Sequence, residues 1–114
     1  MSSLGSIVMV FSGEYDLASK EQLREAFAVL VGAKQAVLDF NDVSYLDSTA
    51  LSELTALHRA RAAAGLDPAT IVTSNGNILR LFQIVDMQRF FVFTDTMPEN
   101  ARGEPVDRRH APSF

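Results

Sequence analysis

Apolar residues run along this chain in two rhythms. Ile7-Val8-Met9-Val10-Phe11 is a continuous apolar run bounded by Ser6 and by Ser12-Gly13. A short run rich in β-branched and aromatic residues between turn residues predicts a buried strand. Ala36-Val37-Leu38-Asp39-Phe40 and Ala69-Thr70-Ile71-Val72-Thr73 read the same way, and Phe90-Phe91-Val92-Phe93 predicts a last strand. Between these runs the period becomes helical. Leu23, Ala26, Phe27 and Leu30 fall at i, i+3, i+4 and i+7, as do Ile78, Leu81, Phe82 and Val85. Each quartet lines one helical face.

Start and stop signals frame the helices. Ser19-Lys20-Glu21-Gln22 has the form of a capping box, and Gly32 is a C-terminal stop. A middle helix is expected from about Thr49 to Ala64, with Leu51, Leu54 and Leu57 inward and Gly65 closing it. Gly13-Glu14-Tyr15-Asp16 reads as a turn or a brief second strand, and Asn41-Asp42 as turn chemistry. Strands alternating with helices imply an α/β fold, a largely parallel sheet joined by right-handed crossovers. From Pro98 the chain is polar and without periodicity, and carries Pro105 and Pro112. The expected organisation is one domain over residues 1–97, then a tail over 98–114 that is loosely ordered or draped.

Composition narrows the function classes. The 114 residues suit one domain, and 47% hydrophobic with 21% charged residues is globular rather than disordered. There is no cysteine, which excludes disulfides, thiolate metal sites and cysteine nucleophiles. The net charge of −4 argues against nucleic-acid and anionic-membrane binding. Residues 1–6 carry no Lys or Arg, and the first apolar run is too short for a signal core or a membrane span. A cytoplasmic location is expected.

Catalytic chemistry finds no foothold in the motifs. Neither a phosphate-binding glycine loop nor a dinucleotide, nucleophile-elbow or zinc-protease motif occurs. His58 lies within the middle helix, where a partly packed role is the simpler reading, and His110 lies in the tail. Asp39, near the end of a core strand, stands where a receiver domain carries its phospho-accepting aspartate. The acidic pair such a domain needs after its first strand is missing, since that strand ends Phe11-Ser12-Gly13. Asp39 is read as a strand-end residue. No catalytic residue, metal or cofactor is expected.

The informative segment runs from Asp39 to Ala50. Asp47 and Ser48 stand at a helix N-terminus, where Asp and Ser are favoured because they satisfy free backbone amides. Thr49 is harder to explain by capping, being β-branched and mildly unfavourable in a helix. A phosphorylated hydroxyl gains about −1.5 to −2 charge. The free amides and positive dipole end of a helix tolerate that charge. A partner docked there would meet it beside the charge of Asp47, so modification could dismiss the partner and spare the fold.

The run Val37-Leu38-Asp39-Phe40-Asn41-Asp42-Val43-Ser44-Tyr45-Leu46-Asp47-Ser48-Thr49-Ala50-Leu51 resembles the signature of STAS domains, the anti-sigma factor antagonists. Gly13-Glu14-Tyr15-Asp16 is similar to the family's G-E-L-D segment, and Leu79 to Phe91 to its third helix and the strand after it. The resemblance spans roughly Ile7 to Phe93. It implies a STAS-like fold, a small, mostly parallel mixed sheet packed with about three to four helices. It implies Thr49 as phosphoacceptor, Ser48 as second choice, and a partner-binding surface of Asp16, Asp47, Ser48, Thr49 and Ala50. Ala50 replaces the family's usual glycine, Thr49 its commoner serine, and Tyr15 a leucine.

The resemblance also implies partner switching in transcription regulation and stress response. The unmodified protein would bind an anti-sigma factor that is also a serine/threonine kinase, and so free a sigma factor. Phosphorylation would release it, and a PP2C-type phosphatase would reset it. The other reading within the family is a STAS interaction or assembly subunit without a phosphoswitch, transporter-associated or stressosome-like. A small α/β enzyme is the reading the absent motifs disfavour. A weak homodimer through a sheet edge or helix face fits either family reading.

Overall fold

The computed structural model describes residues 4–97 and 106–111. The strands are β1 (Leu4–Tyr15), β2 (Ala33–Leu46), β3 (Thr70–Val72), β4 (Val92–Thr94) and β5 (Val106–His110). The helices are α1 (Lys20–Val31), α2 (Ser48–Ala63) and α3 (Gly76–Ile84), with 3₁₀ turns at Leu17–Ser19 and Met87–Arg89. The sheet order is β4-β3-β2-β1-β5, and all four pairings are parallel.

Each helix carries the chain to the next strand in the same direction, so right-handed crossovers gather the helices on one face. Side chains on that face alternate as a strand requires: Ile7, Met9 and Phe11 from β1, Ala36, Leu38 and Phe40 from β2, and Ile71 from β3. Against them pack Leu23, Ala26, Phe27 and Leu30 of α1, Leu54 and Leu57 of α2, and Ile78 and Phe82 of α3. The helical quartet of α1 is buried in full. In α3, Ile78 and Phe82 are buried but Leu81 is only half-buried, and Val85 lies past the helix end and is exposed. Phe11 sits at the centre of an aromatic cluster, 5.0 Å from Phe40 and 5.7 Å from Phe27 by ring centroids. Val8, Val37 and Val72 form a separate small cluster on the other sheet face.

Several boundaries differ from the expected ones. β2 does not turn at Asn41-Asp42 but runs to Leu46, because the ladder with β1 resumes after a register shift, pairing Ser12 with Asp42 and Gly13 with Val43. Gly13, at φ +87°, lets β1 continue past the irregularity, so Gly13-Glu14-Tyr15 extends the first strand instead of forming a turn. Asp39 is consequently inside β2 rather than at its end. Ser19 makes no side-chain cap for α1; its hydroxyl accepts the Asp16 amide instead, while Asp16 caps the 3₁₀ turn. The last strand of the apolar pattern shifts to Val92–Thr94, because Met87–Arg89 coils and Phe90 stacks on His58 at 4.7 Å.

Within the expected tail, Val106–His110 forms β5 along the outer edge of β1. The Ala111 amide extends that ladder by donating to the Val10 carbonyl at 2.8 Å. The Arg108 guanidinium lies 3.6 Å from the Asp39 carboxylate, reaching across β1. The remainder of residues 98–114 lies outside the described residues.

Arg61 is a second departure from pattern. It is 1% exposed and carries a charge into the core. Its Nη1 donates to the carbonyls of Leu30 (2.8 Å) and Ala33 (2.7 Å), and its Nε and Nη2 donate to the Asp67 carbonyl. These carbonyls lie around the end of α1 and in the loop after α2, where helix ends leave acceptors without intrahelical donors. Burial pushes the guanidinium below its ordinary pKa, with the Asp67 charge opposing that shift.

Candidate functional site

β1 and β2 are the two long strands, and their carboxyl ends lie side by side with Tyr15 in register with Leu46. The next residues are Asp16 and Asp47. The Asp47 amide donates to the Tyr15 carbonyl at 3.1 Å, so one more ladder-like bond ties the start of α2 to the end of β1. Two aspartates far apart in sequence are thereby set on one rim.

Each aspartate is held by the chain that follows it. The Asp16 carboxylate accepts from the Ala18 amide at 2.9 Å and caps the turn Leu17–Ser19. The Asp47 carboxylate accepts from the Ala50 amide at 3.1 Å as the N-cap of α2. The predicted cap at Asp47 is therefore real, and Ser48 is the first helical residue rather than a second cap. With the Ala50 amide occupied, the amides of Ser48 and Thr49 are the free donors of the first turn.

The hydroxyl pair sits on that turn. Ser48 is exposed and Thr49 half-buried. Among the described residues neither hydroxyl makes a hydrogen bond within the protein. Ala50 is different: at 1% exposure its methyl group belongs to the core, packed with Leu54 and Leu57. Of the five residues assigned to a partner surface by resemblance, Asp16, Asp47, Ser48 and Thr49 are on the rim and Ala50 supports it from beneath.

Two large side chains on this rim escaped the sequence reading. Leu17 is 69% exposed beside Asp16, and Tyr45 is 50% exposed two residues before Asp47. The signal for Tyr45 was the inward pair Val43 and Leu46, whose spacing leaves Ser44 and Tyr45 outside. Leu17 gave no signal, because a leucine next to an amphipathic helix reads as core. Leu17 and Tyr45 thus add exposed apolar surface beside the two aspartates.

Tyr15 shapes the rim from below. Its ring is 5% exposed and stands edge-on to Phe11 at 5.9 Å. Its hydroxyl accepts from the Ser12 amide at 3.1 Å, closing the strand irregularity around Gly13. Burial raises the phenol above its ordinary pKa of 10.0, and the Ser12 bond works in the opposite direction. The other candidates lie elsewhere. His58 is at the α2 surface against Phe90, and His110 is exposed on β5.

Comparison with known proteins agrees with this geometry. A model of the STAS domain family matches residues 3–100. Among solved structures, the chain is similar to the anti-sigma factor antagonist SpoIIAA in its unphosphorylated form. The TM-score is 0.61 at 16% identity, over 85% of this chain and 84% of that one. No curated protein matches the chain. At that identity the likeness to SpoIIAA is one of fold, whereas the family match covers most of the sequence. The chain belongs to the STAS domain family.

Proposed function

We propose that this protein is an anti-sigma factor antagonist that works by partner switching. In its unmodified form it binds an anti-sigma factor with serine/threonine kinase activity through the rim of Asp16, Asp47, Ser48 and Thr49, and a sigma factor is freed. The kinase transfers the γ-phosphoryl group of ATP to the Thr49 hydroxyl, or to Ser48 as second choice, with ADP as the leaving product. A PP2C-type phosphatase removes the phosphate. The protein is the substrate in this cycle and works in the cytoplasm; among the described residues no helix is long and apolar enough to cross a membrane.

One observation carries this reading. The helix that bears the hydroxyls is capped by Asp47 through the Ala50 amide, leaving the Ser48 and Thr49 amides free. Those amides lower the cost of a phosphate on the same turn. Repulsion is left to act outward, where two carboxylates already stand on the rim. The modification therefore changes the surface and not the core.

The test is phosphorylation of the purified protein by the anti-sigma factor kinase paired with it, with ATP, followed by mass spectrometry. The expected product carries one phosphate on Thr49. A protein that forms a stable complex with that kinase and stays unmodified at both Thr49 and Ser48 would exclude the switch and favour a STAS assembly subunit.

A further inference from the structure

Strand length varies sharply across this sheet, and the mismatch makes a cavity. β3 ends at Val72 and β4 at Thr94, both level with Asp39, whereas β2 continues to Leu46. Over the carboxyl ends of the two short strands lies a half-open cavity of about 370 Å³, lined by Thr73, Leu79, Phe93, Thr94 and Asp95. That volume is in the range of small-ligand sites, and the carboxyl ends of parallel strands are where such sites form in open α/β sheets.

The lining has a definite chemical character. Leu79 and Phe93 supply apolar surface, and the Phe93 ring is held against Phe82 with centroids 5.1 Å apart. The Thr73 hydroxyl accepts the Asn75 amide, and the Thr94 hydroxyl accepts the Thr96 amide, so both oxygens are fixed in place. Asp95 brings the one formal charge among the described lining residues. Its carboxylate makes no ion pair or hydrogen bond to any other described residue. Among the described lining residues there is no cation, so the charge they present to a ligand is that of Asp95.

We infer that this cavity recognises an organic cation, an alkylguanidinium or alkylammonium group on a short aliphatic stem. The stem lies on Leu79 and Phe93, and the cation faces the Asp95 carboxylate with the threonine oxygens as further acceptors. Aromatic surface beside a carboxylate strengthens the hold on a cation. The same chemistry is offered by a free amine or guanidine and by the side chain of an arginine or lysine on a docked protein. The site is separate from the hydroxyls of α2 and stands whether or not Thr49 is phosphorylated.

The experiment is a titration of the isotope-labelled full chain, followed by backbone amide resonances. The probes are butylguanidinium chloride, a short capped peptide with a single arginine, and butanol as the uncharged control. Cation binding should shift the amides of Thr73, Leu79, Phe93, Thr94 and Asp95, weaken with added salt, and fall about five-fold in Asp95→Asn. Tighter binding of butylguanidinium than of the peptide assigns the site to a free small molecule, and the reverse assigns it to a partner's side chain. Asp95 is exposed, so Asp95→Asn is expected to keep its fold, and the salt dependence of the unaltered protein gives an independent readout. The inference is overturned if butanol shifts these amides as strongly as the cations, if the shifts fall elsewhere, or if Asp95→Asn and added salt leave binding unchanged.

Discussion

The backbone amide of Asp47 donates to the carbonyl of Tyr15 at 3.1 Å, so the cap of α2 is fastened to the last residue of β1. The position of the hydroxyl pair therefore depends on the cap as well as on the helix. Replacing Asp47 by Ala removes the acceptor for the Ala50 amide and should cost about 1 kcal/mol, with Asp47→Asn recovering most of it. Urea denaturation of both variants checks this. Equal stability of Asp47→Ala and the unaltered protein would mean that the cap does no energetic work.

Thr49 separates charge from shape. Thr49→Ala removes a hydroxyl with no protein partner and replaces a β-branched helix residue with a better helix former, so folding stability should hold or rise slightly. Partner affinity should also hold. Thr49→Glu puts a carboxylate near Asp47 and should weaken binding about ten-fold or more. Calorimetric titration with the partner reads the affinity and thermal melting reads the fold. Normal binding by Thr49→Glu would place the interface on another surface, and its collapse on heating would show a packing role.

Arg61 is a structural cation rather than a surface charge. Arg61→Met keeps the volume but removes the guanidinium donors from the carbonyls of Leu30, Ala33 and Asp67, of which Leu30 retains the Gly32 amide, at a loss of about 2–4 kcal/mol. Arg61→Lys should recover only part of this, since an ammonium cannot reproduce the planar fork. Denaturant midpoints decide it, and a neutral Arg61→Lys would show that charge alone suffices.

Tyr15 gives the fold an alkaline limit. Burial raises its pKa above 10.0, so the folded chain keeps a proton that the unfolded chain releases. Below the unfolded value both states hold the proton, and the contribution to stability is fully present. As pH rises past about 10 toward the higher folded value, the contribution is lost. The unaltered protein should therefore lose more stability between about pH 9 and about pH 11 than Tyr15→Phe does. At neutral pH the unaltered protein should be the more stable of the two, because Tyr15→Phe leaves the Ser12 amide without its acceptor, at about 1 kcal/mol. Thermal midpoints of the two proteins across this range make the comparison.

The outer strand β5 joins the sheet through its ladder with β1 alone. Its side chains from Asp107 to His110 are exposed, and Arg108 faces Asp39 at 3.6 Å with the guanidinium half in solvent. An ion pair this open is worth up to about 1 kcal/mol. Arg108→Ala should speed amide exchange in 106–110 and in the facing part of β1 by up to about five-fold, with the helices unchanged. Unaltered exchange along β5 would show that the backbone ladder alone holds it.

The helices were legible where period and packing agree. Leu23, Ala26, Phe27 and Leu30 repeat at helical spacing and all four are buried. Strand centres were legible for the same reason, but strand lengths were not. Gly13, Asn41 and Asp42 favour turns, and the neighbouring strand's hydrogen bonds override that preference. β5 could not be read at all, because Asp107-Arg108-Arg109-His110 has no apolar alternation and draws its order from the edge of β1. Arg61 was hidden because a charged side chain reads as solvated. At the site, the Asp47 cap followed from residue type, while Asp16 came only through the family resemblance, since nothing local reveals which strand ends will be neighbours.

The place of β5 has a further consequence, for biosynthesis. In sequence β1 precedes every other described element and β5 follows them all, yet the two are neighbours in the sheet. A ribosome extends a chain at about 5–20 residues per second. The outer edge of Ile7, Val8, Met9 and Val10 therefore waits roughly 5–20 s for its partner strand after its own emergence. Throughout that interval the β1 edge that β5 comes to cover has no partner strand there, and an unpaired strand edge is open to pairing with another chain.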